Sequence, residues 1–95
     1  MESMKFRFNR EKNEKMLETR GIGFEEIIAE IQLGNLVSVE KHYNFNKYPN
    51  QEIMYVRIQD TIYMVPYIIE KDGTFFLETL YPSRKATKKY AKVDL

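Results

Sequence analysis

The sequence predicts an α+β fold: a short N-terminal strand, two helices, then a mainly antiparallel four-strand meander that runs into a basic C-terminal segment. Three observations carry this. Apolar residues recur at helical spacing through the first third and at strand spacing after Leu36. Gly and Asn punctuate the joints between these stretches. Asp72-Gly73 separates two apolar runs, the pattern of a type I′ hairpin. With 95 residues, 43% of them hydrophobic, the chain suits one domain with one compact core.

Each element follows in order. Lys5-Phe6-Arg7-Phe8 alternates polar and apolar and reads as the first strand. Asn9 can cap a helix from Arg10 to about Arg20, because its side-chain oxygen can accept from an unpaired backbone N–H. Glu11 near the start and Arg20 near the end suit the helix dipole, and Gly21 supplies a left-handed stop. The apolar face is thin, mainly Met16 and Leu17, so this helix belongs at the surface. Phe24, Ile27, Ile28 and Ile31 form the stripe of a second, core-packed helix over 24–33, with Gly23 as cap and Ile22 stapled against Ile27. Gly34-Asn35 ends it. Strands follow at Leu36–Glu40, Ile53–Ile58, Thr61–Ile69 and Thr74–Tyr81, with a tight turn at Gln59-Asp60 and a long polar loop over 41–52. Pro66 cannot donate to a ladder, which predicts a bulge or bend there.

Composition excludes several functions. The chain has no Cys, so it holds no disulfide, thiolate metal site or Cys nucleophile. With a single His, His42, and Asp60 and Asp72 placed in turns, no metal-ligand spacing arises and no cofactor is expected. There is no Gly-rich phosphate loop and no Ser in a nucleophile elbow; Ser83, after Pro82, reads as a cap or turn residue. No apolar run suggests a signal peptide or a membrane span, so the expectation is a soluble, cytoplasmic protein without membrane contact.

What stands out is charge segregation. Residues 1–83 carry 10 Lys+Arg against 13 Asp+Glu, whereas residues 84–95 carry five against one. Arg84, Lys85, Lys88, Lys89 and Lys92, interleaved with Thr87 and Tyr90, match the needs of phosphate binding: long-range attraction from cations and short hydrogen bonds from hydroxyls. The competing reading is a solvated basic end. His42, in the polar loop, is the one side chain whose ordinary pKa lies near neutrality.

The stretch "FRFNREKNEKMLETRGIGFEEI" resembles the opening of BrnT-type toxins, themselves similar to RelE-like ribonuclease toxins. The residues that carry the likeness are Phe6, Phe8, Lys12, Asn13, Gly21, Ile22, Phe24, Glu25 and Glu26. The closing "SRKATKKY" resembles that family's Ser-Ala-Arg-Lys-Ala-Thr segment, so the likeness spans nearly the whole chain. Phe8-Asn9 stands where the family commonly has Trp-Asp, and Lys88-Lys89-Tyr90 where it often has a Glu. The resemblance implies a RelE-like arrangement and the toxin of a type II toxin–antitoxin pair. It also implies metal-independent RNA cleavage, inhibition by a ribbon-helix-helix antitoxin, and DNA contact only through the antitoxin complex.

On that reading a 2′-hydroxyl attacks its own 3′-phosphate and expels the next 5′-oxygen, which requires a cation at phosphorus and proton transfer at two oxygens. Arg84 is the expected clamp, because guanidinium is planar, always charged and bidentate. Lys85 and Lys88 are expected to hold flanking phosphates or supply a proton, with Lys89 adding to RNA binding. Tyr90 or His42 is the expected base, and Arg57 a second clamp. The alternative is a non-catalytic RNA- or protein-binding module on a toxin-like fold.

Overall fold

A computed structural model describes residues 4–91. They form a mixed α+β structure of three helices and a six-stranded sheet, in the order β1 (Phe6–Phe8), α1 (Arg10–Arg20), α2 (Phe24–Gln32), β2 (Leu36–Lys41), β3 (Glu52–Ile58), β4 (Thr61–Ile69), β5 (Phe75–Leu77), β6 (Tyr81–Pro82), α3 (Arg84–Lys89). The sheet runs β1-β5-β4-β3-β2, with β6 also paired to β4. Only the β1–β5 pair is parallel. Among the described residues no helix is long and apolar enough to cross a membrane.

The first two helices form as the local signals predict. Asn9 Oδ1 accepts from Lys12 N at 2.9 Å, and Gly21 closes α1 at φ 75. The polar face of α1 supplies two long-range ties. Asn13, buried at 7% exposure, accepts from the Phe24 N–H at 2.7 Å and so caps α2, whose own cap residue Gly23 has no side chain to do it. A Cβ on Gly23 would overlap Asn13 Oδ1, so the joint needs glycine for space. Lys12 Nζ donates to the Glu78 carbonyl at 2.8 Å.

The core lies between α1–α2 and one face of the sheet. Met16, Phe24, Ile27 and Ile31 meet Met54, Val56, Val65, Tyr67 and Leu77. Each fully buried aliphatic or aromatic side chain contributes about 1.5–3 kcal/mol relative to exposure. The pleat sends alternate residues to the opposite face: Glu40 pairs with Ile53, Tyr55 with Met64, and Met64 with Tyr81.

Three expectations need correction. The last strand is not continuous: it breaks between β5 and β6, and its register on β4 shifts by one residue across the gap. Pro66 is the cause, but not as a bulge in its own strand, since β4 pairs with β3 without interruption through Ile53↔Pro66. Glu78 N donates to Pro66 O at 2.8 Å. In an antiparallel pair the return bond would run from residue 66 to the Glu78 carbonyl, and proline has no N–H to make it. Lys12 fills that acceptor from the helix layer. Second, the 70–74 turn is not type I′. Only Gly73 has positive φ; Gly73 N bonds Glu70 O at 2.8 Å and Asp72 Oδ1 accepts from Thr74 N at 2.9 Å, a turn closed by a left-handed glycine. Third, the basic segment expected beyond a strand end is itself a helix, α3.

Candidate nucleic-acid interface

Helix α3 exists because local and distant bonds converge on two hydroxyls. Ser83 Oγ accepts from Ala86 N at 3.0 Å, the N-cap arrangement. Thr87 Oγ1 donates to Ser83 O at 2.6 Å and accepts from Ile62 N at 2.8 Å. Ser83 N also donates to Ile62 O at 3.0 Å, so the helix start is stitched to β4 from both sides. Ala86 is buried against the sheet and Tyr90 is half-buried beside it. Arg84, Lys85 and Lys88 point outward and are exposed. They line a groove of about 850 Å³ with Thr61 and Pro82. Among the described residues no carboxylate pairs with any of the three. Arg84 and Lys85 occupy the first turn, where the helix dipole disfavours cations. Their charge therefore does nothing for the helix and is available to a ligand. Lys92, the fifth cation of the cluster, lies outside the described residues.

Tyr90 and Lys89 belong to a second cluster, on the sheet face opposite α1 and α2. Tyr90 OH donates to Glu40 Oε2 at 2.8 Å, and Lys89 Nζ is 3.5 Å from the same oxygen. The Arg57 guanidinium donates to the Tyr90 carbonyl, and the Tyr55 ring lies 5.6 Å from that of Tyr90. The Tyr90 hydrogen bond, reinforced by the Lys89 charge, holds the Glu40 carboxyl below its ordinary range. Glu40 in turn raises Lys89. Burial is the main cause of the upward shift at Tyr55. Arg57 is thus a brace on the end of α3; its donor reaches backbone, not open cleft.

His42 stands apart from both clusters. It is 5% exposed, packed between the rings of Tyr43 and Tyr48 at 4.5 and 4.6 Å. Its Nδ1 accepts from Asn44 N at 3.0 Å, which puts the hydrogen of the neutral ring on Nε2. It lines a small pocket of about 340 Å³ with Lys12, Tyr43, Thr79 and Tyr81. Burial pushes Tyr81 up to about 12, with the neighbouring Tyr43 hydroxyl adding to the shift.

The expected site residues therefore divide three ways. Arg84, Lys85 and Lys88 share a groove; Lys89 and Tyr90 meet Glu40, with Arg57 on the Tyr90 carbonyl; His42 anchors a loop. Sequence reasoning did not find Glu40, which is 50 positions from Tyr90. It also passed over Tyr55 and Tyr81. Strand alternation was the available signal, because Glu40, Ile53 and Tyr55 share a face once the β2–β3 register is known. Comparison with protein-family models, curated proteins and solved structures finds no match to this chain.

Proposed function

We propose that this chain is a metal-independent endoribonuclease of the BrnT-type, RelE-like toxin class, held inactive by a ribbon-helix-helix antitoxin. The observation that carries the reading is the placement of three cations, without a carboxylate partner among the described residues, on a helix whose next residues, Lys89 and Tyr90, meet the Glu40 carboxylate. Arg84, Lys85 and Lys88 are suited to hold the RNA backbone. Glu40 is the carboxylate of the cluster and the proposed proton acceptor; its bonds to Tyr90 and Lys89 keep it ionised and also weaken it as a base. In the proposed step the 2′-oxygen forms a bond to its own 3′-phosphorus while the bond from phosphorus to the 5′-oxygen breaks. The 2′-proton passes to the Glu40 carboxylate, and Lys89 protonates the departing 5′-oxygen. This moves the base from Tyr90, whose hydroxyl already donates to a carboxylate, and from His42, whose Nδ1 is occupied.

The test is induced expression without a neighbouring antitoxin gene, followed by growth and bulk RNA integrity, and purified protein on RNA in excess EDTA. Growth arrest with EDTA-resistant cleavage is expected, and Arg84→Ala and Glu40→Gln should each abolish it. Cleavage that vanishes in EDTA and returns with a divalent metal would show the mechanism to be wrong. A second reading is favoured by the division of the expected residues: Tyr90 and His42 both serve internal bonds. On it the chain binds RNA without cutting. Intact RNA, with binding retained, would establish that reading instead.

A further inference from the structure

The β2–β3 connection carries features that neither cluster above uses. It is an ordered loop. His42 N donates to Gln51 O at 3.2 Å, Tyr48 N to Asn44 O at 2.9 Å, and Gln51 N to Tyr48 O at 3.2 Å. The buried His42 ring packs between two tyrosines and fixes the backbone at Asn44. On this anchored base stand two rings turned to solvent: Tyr43 is 70% exposed and Phe45 50%. Tyr43 covers one side of the His42 ring and Phe45 lies beside Lys41, and both keep much of their ring surface in solvent. Cations accompany them. Lys41 Nζ lies 5.3 Å from the Phe45 ring centre, and Lys47 Nζ 5.4 Å from that of Tyr48. Tyr43 lines one pocket with Tyr81, which immediately precedes the Pro82-Ser83 entry to α3.

Exposed rings alternating with cations on a preformed scaffold are what an unpaired nucleic acid strand requires. Bases stack on the rings, phosphates meet the ammonium groups, and a duplex cannot offer its base faces. We propose that the 41–48 loop is a base-stacking site for single-stranded RNA, with Tyr43 and Phe45 as platforms and Lys41 and Lys47 as phosphate contacts. The proposal rests on the RNA reading of α3. It adds to it a specificity for strands with free bases, with the chain path running from α3 past Tyr81 to the loop.

The experiment measures fluorescence anisotropy of a labelled 12-nucleotide 2′-O-methyl RNA, which cannot be cleaved by 2′-attack, alone and annealed to its complement. Stacking contributes about 1–3 kcal/mol per base, or roughly 5- to 150-fold in affinity. Tyr43→Leu and Phe45→Leu should each weaken the single strand by a factor in that range and leave duplex affinity unchanged. Lys41→Met should reduce the slope of log affinity against log salt by roughly 0.7. Phe45→Leu touches no hydrogen bond of the fold, so it reports on stacking even if Tyr43→Leu disturbs Tyr81. If the wild type binds the single strand and both aromatic variants bind it equally well, the stacking site is refuted while the reading of α3 stands, and the rings are left to a protein partner. If the wild type binds no RNA at all, the reading of α3 falls and this proposal with it.

Discussion

Thr87 is the residue on which the position of the α3 cations most depends. Its hydroxyl accepts the N–H of Ile62, a residue 2% exposed, and donates to Ser83 O. Thr87→Val keeps the shape and removes the acceptor. Ser83 O loses little, because the Thr87 N–H still reaches it at 2.9 Å. The Ile62 N–H is left without a partner, and a buried unsatisfied donor costs about 1–3 kcal/mol. For a domain of this size each kcal/mol moves the melting temperature by roughly 4–8 °C. Thr87→Ser restores the oxygen and should recover most of the loss. Thermal melts of the three proteins measure the total, and hydrogen exchange at Ile62 and across α3 locates it. The exchange should quicken there and not in α1 or α2. Anisotropy with RNA should weaken in the same order, because cations on a frayed helix lose their fixed spacing. If Thr87→Val melts with the wild type and Ile62 stays protected, then Ala86 burial and the Arg57–Tyr90 brace hold α3 without the threonine, and the reasoning fails.

The Lys12–Glu78 bond can be tested with its cause. Lys12→Met should cost about 0.5–1.5 kcal/mol, but much less beside Pro66→Ala, which returns the N–H that can fill the Glu78 carbonyl; simple additivity in this double-mutant cycle would refute the account. Acid should weaken the Glu40 cluster. Because folding lowers the Glu40 pKa, its contribution is full above the ordinary carboxylate value and is lost as pH falls through the lower folded value. Thermal melts from pH 7 to 3 should therefore show the gap between wild type and Tyr90→Phe closing with acid, and a constant gap would remove the linkage.

The parts of the fold legible in the sequence are those whose signals are local. Asn9, Gly21 and the Phe24–Ile31 stripe each act within a few residues, and α1 and α2 begin and end where they predict. Pro66 showed that a ladder would be disturbed. It could not show which strand would yield, because that depends on what lies opposite, and register is a long-range property. Helix α3 was hidden for a different reason. It turns only Ala86 and Tyr90 inward, too few for a periodic stripe, and its stability comes from a bond to Ile62, 25 positions away.

The same distinction explains the candidate site. A run of cations is visible in any sequence, but its meaning depends on whether those charges are spent internally. Lys89 is spent on Glu40, and Arg57 on the Tyr90 carbonyl. Among the described residues Arg84 and Lys85 meet no carboxylate, and they stand at a helix N-terminus where positive charge is unfavourable. A chain selected for stability alone would place Asp or Glu there, as it does at Glu25 and Glu26 in α2, while the first turn of α1 mixes Glu11 with Arg10 and Lys12. Helix α3, whose first turn has cations and no acid, is bonded to β4 through the Ser83 backbone and the Thr87 hydroxyl. Those bonds offset the electrostatic cost and fix the direction of the charges. We therefore read that combination as support for the proposed ligand site over a solvated tail.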